Sequence, residues 1–146
     1  MNSVIVKRLK ENAILPTYGS DGAAGADLYA CLEREIAIAP GESVFVPIGL
    51  AMEIPRGYAG LVYARSGLAS KRGLAPANKV GVVDCDYRGE VMVALHNHSL
   101  VDQTIVPCER IAQLVIAPYL KADFCLVEDL TDTARGEGGF GSTGRK

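Results

Sequence analysis

The sequence lacks long apolar runs and has almost no net charge. Lys and Arg number 15 and Asp and Glu 17, a formal net charge of −2, and this balance argues against a protein that binds nucleic acid through bulk charge. No stretch is long enough to span a bilayer, and the first residues lack the apolar middle of a signal peptide. We therefore expect a cytoplasmic protein that binds neither nucleic acid nor membrane.

Cysteines are few, and none forms a C-x-x-C pair. They are Cys31, Cys85, Cys108 and Cys125. Their wide spacing removes the basis for a zinc ribbon or a thioredoxin-like site, and we expect reduced thiols. His96 and His98 alternate along a predicted strand and would share one face. Because no third metal ligand lies near them in the sequence, we interpret both as polar strand positions.

The pattern of short apolar segments predicts an all-β fold in one domain. They are rich in Val, Ile, Tyr and Phe and are separated by turns such as APGES, PRGY and DYRGE, as in sandwiches and barrels. The predicted strands are SVIVKRL, ADLYA, EIAIA, ESVFVPIGLAMEI, AGLVYA, VGVVD, EVMVALHNHS, TIVP, RIAQLVIAPYL and FCLVEDL. Only SGLASKRG is typical of a helix, and strands do not alternate with helices. We predict a jelly-roll-like antiparallel β-sandwich or barrel.

The C-terminal residues differ in composition from the rest of the chain. From Arg135 onward, glycine stands at positions 136, 138, 139, 141 and 144 around a single aromatic residue, Phe140. Ordering glycine costs the most backbone entropy, so we predict a domain over residues 1–134 and a flexible arm over 135–146. Free glycine N–H groups can wrap an anion, with Ser142, Thr143 and Arg135 as further donors. The alternative is a plain flexible terminus.

The arm also contains a formal G-x-G-x-x-G match that has no functional meaning. Gly139, Gly141 and Gly144 satisfy the pattern, but dinucleotide sites need a buried strand before the glycines and a helix after them. Phe140 offers a ring on which a nucleotide base can stack. The arm is therefore interpreted as a nucleotide lid or as a plain terminus, and not as a dinucleotide-binding motif.

Three other segments place polar groups at the end of an apolar strand or inside one. Asp84 and Asp86 follow VGVV, where a carboxylate can act as a general base or cap the turn. Arg65 precedes the predicted helix, which is either a phosphate site or an ordinary strand-to-helix turn. Asp27 lies inside an apolar strand, where a charge needs a partner or a function.

Five segments in this order resemble the five motifs of the trimeric deoxyuridine triphosphatase (dUTPase) family. They are AGADLYA, ARSGLA, NKVGVVDCDYRGE, ERIAQLVI and RGEGGFGSTG, and the resemblance runs from about Pro16 to Arg145. It implies an enzyme that hydrolyses dUTP to dUMP and pyrophosphate with Mg²⁺, which keeps uracil out of DNA and supplies dUMP for thymidylate synthesis. It also implies a homotrimer of jelly-roll subunits, in which the arm of one subunit closes a site built by its neighbours.

The resemblance assigns the chemistry to particular residues. Asp84 would deprotonate a water that attacks the α-phosphorus, and would touch the sugar 3′-hydroxyl. The residues expected to hold phosphate oxygens are Arg65, Ser66, Gly67 and Gln113. Asp27 would lie near the water shell of the metal or pair with an arginine. The metal would be held chiefly by the triphosphate and water, so no direct protein ligand is expected.

The resemblance also assigns the recognition of base and sugar. Asn78 and the backbone of Val82 and Val83 would pair with the uracil edge, while Tyr87 under the deoxyribose would exclude a ribose. Met92 would complete the wall, or is a core methionine. The arm residues expected to contact the nucleotide are Arg135, Phe140, Gly141, Ser142 and Thr143, with the Phe140 ring stacked on uracil.

The chain departs from the family pattern at three positions, and two rival functions remain. Leu61 and Ala64 replace a common Arg and Pro, and Cys108 occupies a common glycine position. The first rival is a dCTP deaminase-like enzyme of the same fold, which activates water with a glutamate. The second is a catalytically silent jelly-roll that binds a nucleotide or a protein as a regulator.

Overall fold

Residues 3–139, the part of the chain that the computed structural model describes, contain eleven strands and one helix. In chain order the strands are β1 (Ile5–Arg8), β2 (Thr17–Tyr18), β3 (Ala26–Tyr29), β4 (Ile36–Ile38), β5 (Ser43–Glu53), β6 (Tyr58–Tyr63), β7 (Leu74–Pro76), β8 (Gly81–Val83), β9 (Glu90–Asn97), β10 (Gln103–Ile105) and β11 (Arg110–Pro118). The helix is α1 (Ser66–Arg72), between β6 and β7. It has seven residues, and no helix in the described part of the chain is long and apolar enough to cross a membrane.

The strands form three sheets in which the pairings are antiparallel. One sheet has the order β1-β5-β9-β7, a second the order β2-β3-β11-β6-β8, and β10 pairs with β4. Strands distant in sequence lie side by side, since β11 runs between β3 and β6. The predicted jelly-roll-like antiparallel fold is therefore confirmed.

The core lies between the inner faces of the two large sheets. On β9, Val91, Val93 and Leu95 are buried while Met92 between them is half exposed, which is the alternation that a strand with one wet face requires. Asn97 ends this buried row. Its amide donates to the carbonyls of Ile38 and Val101, at 2.8 Å each, and these hydrogen bonds offset the cost of burying the polar group.

A kink in the longest strand depends on glycine. The register of β5 against β9 shifts between Pro47 and Ala51, and Gly49 within this irregularity has φ +70°. A Cβ atom there would lie 2.6 Å from the Sγ atom of Cys31 and 2.7 Å from the Cβ atom of Ala13. Both the left-handed backbone and the close packing therefore require a residue without a side chain.

The helix and nine of the ten predicted strands are present, but the prediction of a strand at FCLVEDL is wrong. The chain from 119 to 130 forms no strand, and Phe124, Leu126 and Leu130 are almost fully exposed. A strand needs a neighbour for its backbone hydrogen bonds, and within residues 3–139 none lies beside this segment. The short strands β2 and β7 were not predicted, because two or three residues show no periodicity.

Candidate active site

A cleft of about 290 Å³ is formed by residues of both large sheets. Val82 and Val83 come from β8, and Met92 comes from β9. Six of the residues that the sequence singled out line this cleft: Asn78, Val82, Val83, Asp84, Tyr87 and Met92. The structure therefore brings the predicted base and the predicted uracil and sugar contacts together in one place.

One wall of the cleft is the edge of a sheet. The strand β8 has a single partner among the described strands, β6, so one side of its backbone keeps free N–H and C=O groups. A Cβ atom at Gly81 would lie 3.3 Å from the side-chain nitrogen of Asn78, which shows that this amide rests against the strand. The wall therefore presents amide donors and acceptors beside each other, as recognition of a planar heterocycle requires.

The structure separates the two carboxylates that follow β8. The chain turns directly after the strand, and the backbone N–H of Tyr87 donates to the carbonyl of Asp84 at 3.2 Å. Asp84 lines the cleft and is exposed, whereas Asp86 is exposed outside the lining. Within the described chain, the Asp84 carboxylate accepts no hydrogen bond and forms no ion pair. It is therefore available to a substrate or a water.

The Tyr87 ring is held by its neighbours in the same turn. Its hydroxyl donates to the carbonyl of Glu90 at 3.0 Å, and the Glu90 carboxylate accepts from the backbone N–H of Gly49 at 3.0 Å. Glu90 and Phe45 also line the cleft. Neither was predicted, because their position depends on the β5 to β9 pairing, which sequence periodicity does not reveal.

A contact from β11 supports the turn that carries Asp84. The Cys85 Sγ atom lies 3.7 Å from the hydroxyl of Tyr119, which follows β11. The pKa of Tyr119 is raised, first by its hydrogen bond to Cys85, then by the negative charge that Cys85 can carry, and further by Asp84 and Asp86. Tyr119 therefore keeps its proton near the carboxylates. No signal in the sequence linked these residues.

A second group of predicted residues gathers around Asp27 on β3. The Nε atom of Arg65 lies 2.8 Å from its Oδ1 atom, and the Nη1 atom of Arg110 lies 3.2 Å from Oδ2. Only 13% of the Asp27 side chain is exposed. Of the two expectations for Asp27, the pairing with an arginine is therefore realised. Arg110 was not predicted, although it stands in the segment ERIAQLVI.

Gln113 lies in the same group, opposite Asp27 on the neighbouring strand. It pairs in register with Asp27 on one side and Tyr63 on the other, and its amide donates to the carbonyl of Ala64 at 2.9 Å. A Cβ atom at Gly25 would lie 2.7 Å from its Oε1 atom. The amide is thus fixed beside the peptide that leads into Arg65.

Helix α1 begins next to this group and is anchored at its other end. Ser66 and Gly67 are exposed in its first turn, where Arg65 gives no side-chain cap. In the last turn, the Arg72 guanidinium donates to Gln103, Glu109 and the carbonyl of Thr104. The hydrogen bonds of Arg72 at the C-terminal end therefore anchor the helix and, with it, the position of its first turn. The sequence did not indicate this network.

The two groups lie at different places in the fold and do not share a cleft. Among residues 3–139, the lining of the cleft includes neither Arg65 nor Ser66, Gly67 or Gln113. The first group lies at the β8 edge, and the second lies on β3, on β11 and after β6. One copy of the chain therefore separates the predicted base from the predicted phosphate contacts.

The arm is described only at its beginning. Arg135 lies in a turn where its Nε atom donates to the carbonyl of Gly138 at 2.8 Å and the backbone N–H of Gly136 donates to Thr133. Of the remaining arm predictions, Phe140, Gly141, Ser142 and Thr143 lie outside the described residues.

In the part of the chain that the structure describes, no three His, Cys, Asp or Glu side chains are grouped as metal ligands would be. The rings of His96 and His98 lie 4.3 Å apart, and His96 shares a hydrogen bond of 2.8 Å with Ser43. His98 is exposed, and its pKa is lowered by slight desolvation and by the nearby charges of His96 and Lys79. The two rings therefore contact each other, and only His96 lies within β9 and bonds to Ser43.

Comparison with known proteins decides the family. A family model described as dUTPase matches residues 11–144 of the chain. The chain belongs to the dUTPase family. A curated dUTPase-family relative, the deoxyuridine 5′-triphosphate nucleotidohydrolase of Thiobacillus denitrificans, is 49% identical over 144 residues, which cover 98% of this chain and 97% of the relative.

Solved dUTPase structures share the fold of this family member. A mutant of the Staphylococcus bacteriophage 80alpha dUTPase with dUpNHpp has a TM-score of 0.90 and 29% identity, covering 99% of both chains. A mutant dUTPase from phage phi11 of S. aureus, described as revealing the coordination of a structural Mg(II) ion, has a TM-score of 0.79 and 25% identity. It covers 88% of this chain and 98% of its own. The jelly-roll-like dUTPase fold thus extends over nearly the whole chain.

Proposed function

We propose that this chain is a dUTP diphosphatase, which hydrolyses dUTP to dUMP and pyrophosphate. The observation that carries the proposal is the free carboxylate of Asp84 in the cleft beside Asn78, Tyr87 and the β8 edge, in a member of the dUTPase family. The curated relative bears the name of this activity, and the 80alpha dUTPase was solved with a dUTP analogue.

Base selection follows from the wall formed by β8. The free backbone groups of Val82 and Val83 and the Asn78 amide would pair with the donors and acceptors of uracil. Cytosine presents a different order of donors and acceptors, and each buried group left unpaired costs about 1–3 kcal/mol. The cleft is proposed to reject the methyl group of thymine, with Met92 as part of its wall.

Sugar selection is assigned to Tyr87. Its ring lines the cleft and is tied to the Glu90 carbonyl, so it cannot swing freely. Placed under the deoxyribose, the ring would collide with the 2′-hydroxyl of a ribonucleotide. A fixed ring discriminates better than a mobile one because the clash cannot be relieved by rotation.

The reaction is assigned to Asp84. Its carboxylate would accept a proton from water while the water oxygen attacks the α-phosphorus, and the bond to the oxygen bridging the α- and β-phosphorus would break to release pyrophosphate. An aspartate is a weak base at neutral pH, so most of the rate must come from positioning and charge neutralisation. The same carboxylate is proposed to contact the sugar 3′-hydroxyl.

Phosphate binding is assigned to Arg65, Ser66, Gly67 and Gln113. The guanidinium of Arg65 keeps further N–H groups beyond those that it gives to Asp27 and to the carbonyl of Arg110, and Asp27 fixes its direction. Because these residues do not line the cleft of their own chain, a neighbouring copy would supply them. We therefore propose a homotrimer with shared sites.

Two exposed apolar surfaces support this assembly. Around the cleft, 72% of Phe45 and 64% of Val82 are exposed, and the unpaired segment 119–130 exposes Phe124 and Leu126 almost completely. A chain that remained single would leave these surfaces in water at an unfavourable free energy. Contact with further copies of the chain would cover them.

Closure of the site is assigned to the arm, residues 135–146, while residues 1–134 form the catalytic domain. Phe140 would stack on the uracil of a neighbouring site, and Arg135, Gly141, Ser142 and Thr143 would follow the terminal phosphates. The glycines permit this close wrapping, and loss of the wrapped state after reaction would release the products.

We assign Mg²⁺ to the substrate rather than to a protein cage. The described residues group no three ligands, and each oxygen of Asp27 already pairs with an arginine, so the donor set fits a metal that arrives on the triphosphate through water. When bound, it supplies charge neutralisation for the departing pyrophosphate. Asp27 would then orient Arg65 and accept a hydrogen bond from metal-bound water.

We also propose a cytoplasmic location, where nucleotide pools are found.

Purified protein supplied with dUTP and Mg²⁺ tests the proposal through release of pyrophosphate. Parallel reactions contain dCTP, UTP or thymidine triphosphate, and a further one contains EDTA. Fast release from dUTP alone, abolished by EDTA, is expected. Ammonia from dCTP without pyrophosphate from dUTP would favour the deaminase-like rival, and binding of dUTP without any reaction would favour a silent regulator.

A further inference from the structure

Gly89 stands against the ring of Tyr87 with no room for a side chain. A Cβ atom at Gly89 would lie 2.3 Å from the Tyr87 hydroxyl oxygen, 2.5 Å from its Cζ atom and 2.9 Å from Cε2. Real Cβ atoms do not approach other atoms this closely, so any side chain at this position displaces the ring. The backbone of Gly89 is not in the left-handed region, so alanine there would be tolerated by the main chain itself.

Two contacts therefore fix the ring in the cleft. Gly89 supplies an open surface on which the ring lies, and the Glu90 carbonyl accepts the hydrogen bond of its hydroxyl at 3.0 Å. Tyr87 is 44% exposed, so its ring has space to move outward when a side chain at position 89 occupies the surface on which it lies. An added methyl group thus shifts the ring instead of disrupting the core.

We propose that Gly89 is a positioning residue for sugar selection, acting through Tyr87. The inference rests on the proposed dUTP hydrolysis and deepens it, because it names the residue that places the sugar-facing ring. Discrimination between a deoxyribose and a ribose depends on one oxygen atom, and a displacement of about 1 Å is enough to lose it. Glycine at 89 would then be required for specificity even though it contacts no substrate.

The test compares Gly89→Ala with Gly22→Ala. A Cβ atom at Gly22 meets nothing within 4 Å, and its backbone is not left-handed, so the control adds the same methyl group without a contact. The ratio of kcat/KM for dUTP to kcat/KM for UTP is measured for each variant. It should fall by about tenfold or more for Gly89→Ala and stay within about twofold for Gly22→Ala. Equal ratios in the two variants would overturn the inference.

A double-mutant cycle separates this role from a general loss of structure. In a Tyr87→Ala background the ring is absent, so adding Gly89→Ala should leave the dUTP to UTP ratio unchanged. A further fall in that background would contradict a role exerted through Tyr87. Thermal midpoints of all variants, measured at one protein concentration, report folding independently.

Tyr87→Phe provides a second route if Gly89→Ala does not fold. It keeps the ring but removes the hydrogen bond to the Glu90 carbonyl, and it should lower the same ratio. A ratio equal to that of the unmodified protein would count against ring positioning as the source of selectivity. Absence of dUTP hydrolysis in the unmodified protein would instead reject the proposed function, which keeps the two failures distinct.

Discussion

The guanidinium of Arg65, which precedes helix α1, lies 2.8 Å from the carboxylate of Asp27 on β3, 38 positions earlier in the chain. Arg110 approaches the second oxygen of the same carboxylate at 3.2 Å. Asp27 thereby holds the residue that opens helix α1 against β3 and β11. A charge inside an apolar strand, which looks unfavourable in the sequence, is the group that orients a proposed phosphate-binding arginine.

Replacing Asp27 should weaken both stability and phosphate binding. Asp27→Asn keeps the shape but leaves Arg65 and Arg110 without their counter-charge, at a cost of about 1–3 kcal/mol in unfolding free energy. The KM for dUTP should rise while Asp84 remains intact. Urea unfolding and steady-state kinetics measure the two effects.

The control for that substitution is Glu53→Gln. Glu53 pairs with Arg88 at 3.8 Å, with 54% of each side chain exposed, so its loss should cost less than about 0.5 kcal/mol. Equal effects of the two substitutions would show that the Asp27 pair has no special role.

Replacing the proposed base should abolish turnover without abolishing binding. Asp84→Asn keeps the volume and polarity of the side chain but removes the negative charge that accepts a proton, so kcat should fall by about 10³-fold or more. The dissociation constant for a non-hydrolysable dUTP analogue should change by less than about tenfold. Asp86→Asn, whose side chain lies outside the cleft lining, serves as the matched control and should retain activity.

Removing the arm should disable the enzyme and leave the fold intact. The described part of the arm forms hydrogen bonds only with residues 133–138, so among residues 3–139 its deletion breaks no hydrogen bond to the core. We expect kcat/KM for dUTP to fall by about 10²-fold or more, because the proposed closure and stacking would be lost. Circular dichroism should be unchanged. Full activity of the shortened chain would argue that the arm is a plain terminus.

Adding a methyl group at Gly49 should destabilise the protein strongly. Gly49→Ala combines a left-handed backbone, φ +70°, with a clash against buried Cys31 and Ala13. The expected cost is about 2–4 kcal/mol. Gly41→Ala has a similar φ of +76° but meets nothing within 4 Å, so it should cost only about 1–2 kcal/mol. Thermal unfolding at fixed protein concentration distinguishes the two.

Introducing glycine at Cys108 should stabilise the protein. Cys108 has φ +63°, which is unfavourable for a residue with a side chain, and it is exposed. Cys108→Gly removes this strain, offset in part by the larger backbone entropy of glycine in the unfolded chain, for a net gain of about 0.5–1 kcal/mol. Cys108→Ser removes the sulfur and keeps the strain, so a gain of equal size in that variant would contradict this explanation.

The family and most strands could be read from the sequence, while the grouping of site residues could not. VGVVD and EVMVALHNHS predicted β8 and β9 because alternation is a local property. That Asp84 lines a cleft and Asp86 does not depends on how β8 meets the other sheet. Gly89 illustrates the same limit, since only the folded chain places the Tyr87 ring over it.

The sequence by itself determined most of the strand and turn positions, the short helix and the chemical groups of the site, because these depend on side chains close together in the chain. The tertiary structure decided that β11 lies between β3 and β6, that Asp27 pairs with two arginines, and that FCLVEDL stays unpaired. Contacts between residues distant in sequence decide which strands pair. Each such contact costs chain entropy and gains buried area, and the balance between the two depends on the packing of the whole core.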